Sequence, residues 1–205
     1  MRAMDERQGP PPRRNEVEGV EGKGSMWRGY LASLENSGLL SSVRERASER
    51  TREMMDRPPP VSAWISVTAL EEVIDIVEQL QGAQGIRDLT REASLLGVAP
   101  LIRTLLQGLM RAFGVSPATL FARLGQISST TVRGVEYQYV AIAEREGELI
   151  LRYPKRASVP WNVFVAVSGS LEAVYEFCGM KGNVSEPRPL TEGTRNNGAR
   201  YKLSW

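Results

Sequence analysis

Residues 130–153 read TTVRGVEYQYVAIAEREGELILRY, and this stretch marks a change in the period of the apolar residues. Upstream of it, apolar residues recur at intervals of three and four, which is typical of helices. Within the stretch they alternate with polar residues, as at Tyr137 and Tyr139. A second apolar run, 149–153, follows a glycine-containing dipeptide at 146–147. Two such runs on either side of a glycine turn predict a β-hairpin.

The residues after the hairpin predict one more helix and one more clear strand. An apolar-rich segment over about 161–178 follows Pro160 and precedes Gly179, which is typical of a helix with a proline at its start and a glycine past its end. Residues 184–189 favour an irregular strand. Residues 199–205 alternate between apolar and polar types and predict a half-buried strand. The order of this part of the chain is therefore ββαββ.

The first half of the chain carries helical periodicity interrupted by glycines and prolines. One amphipathic helix starts at Met26, and a second, charge-rich helix covers about 39–56 and stops at a run of three prolines. A helical block then extends over about 68–124. At its start, Thr68 and Glu71 have the spacing of a capping box, in which each side chain caps the other residue's amide.

Two parts of the helical block carry further signals. Pro100 opens a segment, 101–113, whose apolar residues cover more than half of a helical circumference, so we expect a central and largely buried helix. Ser116 followed by Pro117 is typical of a helix start. The serine side chain caps the first amides, and the proline fits the first turn.

Together these segments predict an α+β fold, with an N-terminal helical bundle at 26–126 and a ββαββ unit at 130–205. The ββαββ unit is expected to form a mostly antiparallel four-stranded sheet with helices on one face. Residues 26–205 are expected to form a single domain. Residues 1–25 contain almost no large apolar residue and include a run of prolines, which favours a disordered N-terminal tail.

The composition excludes several kinds of active site. The chain has no histidine, which rules out histidine-activated nucleophiles, histidine-bound zinc and proximal-histidine haem. Cys178 is the one cysteine, so no internal disulfide can form, and this fits a reducing compartment such as the cytoplasm. A formal net charge of +2, with acidic and basic residues intermixed, does not indicate a nucleic-acid partner. No apolar run predicts a membrane span or a secretory signal.

Several segments of small and apolar residues carry a family resemblance. They are Gly38-Leu39-Leu40 with Val43-Arg44, Ala99-Pro100-Leu101, Gly114 to Leu124, Gly147 to Pro154, Gly169-Ser170-Leu171-Glu172-Ala173 and Ala199 to Trp205. Over about residues 26–205 the chain resembles a myxobacterial paralogous family of uncharacterised proteins. That family has no established catalytic residues, so the resemblance assigns none to this chain.

The ββαββ part is also distantly similar to the haem-nitric-oxide-binding-like and 4-vinyl-reductase domains. Those domains are small-molecule sensors and are often dimeric, so the resemblance implies a sensor that can form a homodimer. Haem-binding members use a histidine ligand, which this chain lacks. The 4-vinyl-reductase type can carry a cysteine-rich cluster, which Cys178 alone cannot reproduce. We therefore expect neither a cofactor nor a metal.

A candidate ligand site is predicted between the last helix and the hairpin. Aromatic residues there can line a cavity, and an arginine there can bind an anionic ligand or a partner carboxylate. The candidate residues are Tyr137, Tyr139, Arg152, Tyr153, Trp161, Phe164 and Cys178. The same aromatic residues can instead form an ordinary helix–sheet interface, and Cys178 can be an inert buried thiol. The sequence leaves both interpretations open.

Two functions are compatible with these patterns. The first is a non-enzymatic regulatory sensor or adaptor domain that binds a small apolar or amphipathic ligand or a protein partner. The second is a structural or scaffold subunit that docks partners through the N-terminal tail and the charge-rich helix. An enzyme built on tyrosine, lysine or carboxylates is disfavoured, because no spacing in the chain suggests a mechanism.

Overall fold

The computed structural model describes residues 19–97, 116–156, 158–190 and 196–205. Two of the sequence predictions fall outside these ranges, namely the buried helix at 101–113 and most of the N-terminal tail, residues 1–18. Within the described ranges, no helix is both long enough and apolar enough to span a bilayer.

The N-terminal half is helical, as the sequence predicts. It contains α1 (Gly24–Asn36), α2 (Leu40–Arg46), α3 (Glu49–Asp56) and α4 (Thr68–Gly97). Helix α4 is kinked at Gly82, whose φ of 69° and ψ of −168° are not helical. Trp27 and Leu34 on the apolar face of α1 are fully buried. Gly38 follows α1 with a φ of 71°, the left-handed conformation that commonly ends a helix and that glycine adopts without strain.

The charge-rich segment forms two short helices, α2 and α3, and the prediction of a single helix over 39–56 is wrong. The chain is extended at Ser48, whose hydroxyl caps α3 by accepting a hydrogen bond from the N–H of Thr51 at 3.3 Å. Glu72 of α4 accepts hydrogen bonds from the hydroxyls of both residues. A tertiary contact therefore holds the break in place, because it ties the junction of α2 and α3 to α4.

The first turn of α4 does not form the predicted capping box. The N–H of Glu71 donates to the backbone carbonyl of Val67 at 2.9 Å, and the hydroxyl of Thr68 lies 2.7 Å from that of Ser66. The Glu71 carboxylate is bound by Arg156 from the other half of the chain. Arg156, which is distant along the chain, therefore binds the carboxylate that the predicted capping box assigns to the helix start.

A small antiparallel sheet joins the two halves of the chain. In it β1 (Glu21–Lys23) lies between β2 (Trp64–Ser66) and β3 (Val132–Arg133). Strands of two or three residues are too short to show alternation, so the sequence does not predict them. Their presence corrects the boundary of the N-terminal tail, because residues 19–25, assigned above to that tail, include β1 and the start of α1.

The second half of the chain forms the predicted ββαββ unit, with one correction. The irregular strand predicted at 184–189 is two short strands, so the main sheet has five strands rather than four. The unit is preceded by two short helices, of which the first starts at the predicted Ser116 cap. The elements are α5 (Pro117–Ala122), α6 (Leu124–Ser128), β4 (Glu136–Ala143), β5 (Glu146–Arg152), α7 (Trp161–Phe177), β6 (Asn183–Val184), β7 (Arg188–Pro189) and β8 (Gly198–Ser204). The α+β prediction is confirmed.

The main sheet is antiparallel throughout and has the strand order β4-β5-β8-β6, with the short β7 also paired to β8. The hairpin turn lies at residues 144–145 rather than at the predicted 146–147. Gly147 is inside β5, where the ring of Tyr139 covers it so closely that a Cβ would lie 2.5 Å from a ring carbon. Glycine is therefore needed here for close approach and not for a turn.

Helix α4 packs against α1 on one side and α7 on another, and glycines make both contacts close. A Cβ on Gly29 of α1 would lie 2.4 Å from the carbonyl oxygen of Ala93. A Cβ on Gly169 of α7 would lie 2.1 Å from a backbone carbonyl oxygen of α4. Beside this contact, the hydroxyl of Thr90 donates to the carbonyl of Ala166 at 2.7 Å. The three helices are thus held in fixed relative positions.

Replacing Gly169 by alanine should lower the free energy of unfolding by about 1–3 kcal/mol, because the methyl group overlaps the backbone of α4. Urea unfolding followed by circular dichroism measures this. Gly125→Ala in α6 is the matched control, since its Cβ would come no nearer than 3.7 Å to its neighbours. Alanine there should be neutral or stabilise by up to about 1 kcal/mol. Equal stability of Gly169→Ala and the wild type would contradict the α4–α7 contact.

Candidate functional site

A cavity of about 190 Å³ lies between the N-terminal helices and the ββαββ unit. Its walls come from α1, α4, α5, α6, β4 and α7. The lining is mainly apolar and includes Met26, Leu70, Ile74, Leu124, Ile127, Val135, Val163, Val167 and Val174. Largely apolar pockets with a few polar groups are typical ligand sites, so this cavity is the candidate functional site.

One face of α7 supplies a large part of the wall. Val163, Ala166, Val167 and Ser170 recur at intervals of three and four, which places them on one side of the helix. The hydroxyl of Ser94 on α4 donates to that of Ser170 at 3.0 Å and closes the wall between the two helices. The regularly spaced apolar residues of α7 therefore line the cavity as well as pack in the core.

Three tyrosines place polar groups in this wall. Tyr30 on α1, Tyr137 on β4 and Tyr153 just after β5 all line the cavity. Burial raises the pKa of Tyr137 to about 12, although its hydrogen bond with Ser128 acts in the opposite direction. Burial also raises the pKa values of Tyr30 and Tyr153. All three phenols therefore stay neutral far above neutral pH and can donate hydrogen bonds to a ligand.

Glu71 is the one charged side chain among the described residues that line the cavity. Both terminal nitrogens of Arg156 donate to its two carboxylate oxygens. The Arg156 and Glu71 side chains are 8% and 14% exposed, so the ion pair is buried. Paired in this way, the two opposite charges leave this side of the wall without net charge.

Two of the seven predicted site residues, Tyr137 and Tyr153, lie in the cavity wall. Tyr139 is on the same face of β4, but its ring stacks on Phe121 with the centroids 6.1 Å apart. The Tyr139 hydroxyl is buried without a hydrogen-bond partner in the described part of the chain. Arg152 is the last residue of β5 and is outside the described lining.

The other three predicted residues, Trp161, Phe164 and Cys178, lie on or next to α7 without lining the cavity. Phe164 is fully buried, and its ring centroid is 5.8 Å from that of Tyr153 and 5.3 Å from that of Trp161. Cys178 follows the last turn of α7, and burial raises the pKa of its thiol to about 11. Few thiolates form at that pKa, so these residues fit the interpretation of a packed interface with an inert thiol.

Tyr30 and Glu71 are among the cavity residues that the sequence did not predict. Tyr30 belongs to the apolar face of α1, where the pattern assigns it to the core. Glu71 follows the buried Leu70 and precedes the buried Ile74 by one turn, which is the available signal that its carboxylate is near the core. That signal does not identify Arg156, because the partner is 85 residues away along the chain.

No protein-family model matches the chain. No curated protein matches it either. An oxygen-binding H-NOX domain related to soluble guanylate cyclases is 11% identical, with a TM-score of 0.61 over 89% of this chain and 94% of that one. An unliganded Fe(II) H-NOX variant from K. algicida is 8% identical, with a TM-score of 0.61 over 89% and 95%. The similarity predicted above is thus confirmed for the fold, while the myxobacterial family stays a prediction.

A haem is implied by this fold, since one similar structure was used to probe haem distortion in the H-NOX family. The described residues of the cavity do not fit that group. The chain has no histidine, Cys178 is not in the described lining, and burial opposes the ionisation that a tyrosine ligand requires. The thioether of Met26 remains, but methionine binds haem iron together with a histidine. The described lining also has no lysine or arginine for the haem carboxylates.

The six tyrosines should ionise at a higher pH in the folded protein than in the unfolded chain. Burial raises the pKa of each above the ordinary value of 10, so the folded state keeps protons that the unfolded state releases. Their contribution to stability is therefore complete below pH 10 and declines as the pH rises from 10 through about 12, the pKa of Tyr137. Phenolate absorbance and circular dichroism, recorded on the same samples, check this.

The same titration in denaturant is the control and should centre near pH 10, the ordinary value for tyrosine. In the native protein, phenolate absorbance and loss of helical signal should rise together. A tyrosine that ionises near pH 10 while the helical signal is intact would contradict the burial described for these residues.

Proposed function

We propose that this chain is a non-enzymatic sensor domain that takes a small apolar or amphipathic ligand directly into the cavity. The observation that carries the proposal is the cavity itself, which is mainly apolar and is lined in part by Tyr30, Tyr137 and Tyr153. Pockets that combine apolar walls with a few convergent polar groups are the usual ligand sites of proteins. Among the described residues of the wall, no group is arranged as a nucleophile with a base, so the proposal is one of binding.

The cavity volume indicates the size of the ligand. An apolar cavity of about 150 Å³ holds a benzene molecule, whereas drug-sized ligands occupy sites of about 300–1,000 Å³. At about 190 Å³, this cavity fits a ligand of one aromatic ring with a small substituent.

The position of the cavity supports a sensing role. A ligand there would contact α1 and α4 in the helical half and β4 and α7 in the ββαββ unit. Binding would therefore favour one relative arrangement of the two halves, which is how a ligand shifts a conformational equilibrium. The similarity to an oxygen-binding domain related to soluble guanylate cyclases supports the same role.

A protein partner or a second copy of the chain would bind the ligand-bound and ligand-free forms differently. The domain would act in the cytoplasm. The exposed edge strand β4 supports such a contact, because its outer edge pairs with no other described strand. Val140 and Ile142 on β4 are 41% and 60% exposed. An open edge with exposed apolar residues is a common site of strand pairing between chains.

The alternative function, a scaffold that docks partners through its tail and charge-rich helix, stays a prediction. Residues 1–18 lie outside the described ranges. The charge-rich segment uses part of its polar surface internally, since Arg44 and Asp56 pair at 2.8 Å and Glu72 holds the α2–α3 junction. Those groups are thereby less available to a partner.

Filling the cavity should abolish binding without unfolding the protein. Val167→Phe directs a ring into the cavity from α7, so it should raise the Kd for a one-ring ligand such as benzyl alcohol by at least about tenfold. Isothermal titration calorimetry measures the Kd, and circular dichroism confirms the fold.

Val61→Phe is the matched control for this experiment. It makes the same substitution at a position that is 52% exposed and outside the described lining, so it should bind as the wild type does. If the wild type binds no one-ring compound, or if Val167→Phe binds as the wild type does, the cavity is not a ligand site.

A further inference from the structure

The charge carried by the cavity wall is internally paired. Glu71 contributes the one carboxylate of the described lining, and Arg156 binds it from the turn that follows β5. Neither side chain is more than 14% exposed. The described lining contains no lysine, arginine or aspartate. The described part of the wall therefore offers a ligand apolar surface and hydroxyl groups, but no unpaired charge.

We infer that the cavity selects electrically neutral ligands that carry a hydrogen-bonding oxygen, and that Glu71 is the residue that sets this selectivity. The inference rests on the proposed ligand-binding function and narrows the class of ligand. Aldehydes, ketones, esters, alcohols and phenols with one ring belong to this class. Free carboxylic acids and amines, which are charged at neutral pH, do not.

An anionic ligand is disfavoured because the matching cation is already occupied. Glu71 takes both terminal nitrogens of Arg156, so a ligand carboxylate would meet the negative charge of Glu71 instead. Like charges repel far more strongly in a water-poor interior than in solvent. To reach Arg156, the ligand would have to displace Glu71 and leave a buried carboxylate without a partner, which is strongly unfavourable.

A cationic ligand is disfavoured for the complementary reason. Arg156 already neutralises Glu71, so an ammonium group would lose its hydration and gain little attraction in return. The phenols of Tyr30, Tyr137 and Tyr153 bring no negative charge to compensate, because burial keeps them protonated. These phenols both donate and accept hydrogen bonds, and they therefore suit a neutral oxygen.

A matched set of ligands tests the charge selectivity. Benzaldehyde, benzyl alcohol, benzoate and benzylamine share one ring and differ in charge at neutral pH. By calorimetry on the full chain, the two neutral compounds should bind at least about tenfold more tightly than the two ions. Benzoate that binds as tightly as benzyl alcohol overturns the inference but leaves the cavity's ligand-binding function intact. Failure of both neutral compounds to bind overturns the proposed function itself.

Glu71→Gln should change the selectivity towards anions. The variant keeps the shape of the side chain and leaves Arg156 without its anion, so the affinity for benzoate relative to benzyl alcohol should rise at least about tenfold. The control is the double variant Glu71→Gln with Arg156→Met, which removes both charges. It should bind benzyl alcohol and should not gain affinity for benzoate. The same benzoate affinity in the wild type and Glu71→Gln overturns the inference.

Thermal stability provides a readout that does not require Glu71→Gln to be well folded on its own. An unpaired buried guanidinium is destabilising, so the variant should melt at a lower temperature than the wild type. A ligand that binds the folded state raises the melting temperature, and benzoate should do so more than benzyl alcohol in this variant. If benzoate gives no larger shift than benzyl alcohol, Glu71 does not set the selectivity.

Discussion

The close contact between α4 and α7 is the constraint on which the rest of the structure depends. At Gly169 the two backbones approach until no side chain fits between them, and Thr90 adds a hydrogen bond of 2.7 Å across the contact. On another side of α4, Gly29 allows α1 to approach equally closely. These glycines therefore fix how closely α1 and α7 pack against α4. Next to the α4–α7 contact, the hydrogen bond between Ser94 and Ser170 closes the wall of the cavity between the two helices.

Two arginines, both largely buried, connect α4 to the ββαββ unit. Arg156 binds Glu71 on α4, and Arg87 of α4 binds Glu172 on α7 and the carbonyl of Val184. Buried ion pairs add little stability compared with an apolar pair of the same shape, and they act mainly by specifying one arrangement. The ion pair of Glu71 with Arg156 also affects the charge of the cavity wall, because Glu71 is the one charged residue in the described lining. The ligand selectivity proposed above would therefore depend on the same ion pair that links Arg156 to α4.

The H-NOX-like fold and haem chemistry are separable in this chain. The fold supplies a hollow between helices and sheet, whereas binding a cofactor depends on individual side chains. Here the chain has no histidine, the tyrosines of the wall are held neutral by burial, and the nearby Arg156 is already paired. The same hollow is therefore suited to a small neutral molecule, and the aromatic residues around α7, such as Phe164, serve packing.

The sequence by itself determined the elements whose signals lie within a few residues of one another. The hairpin, α7, β8 and the Ser116 cap are all of this kind, because spacing along the chain decides which side of an element is apolar and where it starts. Only the tertiary structure decided which neighbour each side meets. Tyr137 and Tyr139 have the same pattern, yet one lines the cavity and the other covers Gly147, and the partner of Glu71 lies 85 residues away. Such pairings depend on the packing of distant segments, which no local pattern encodes.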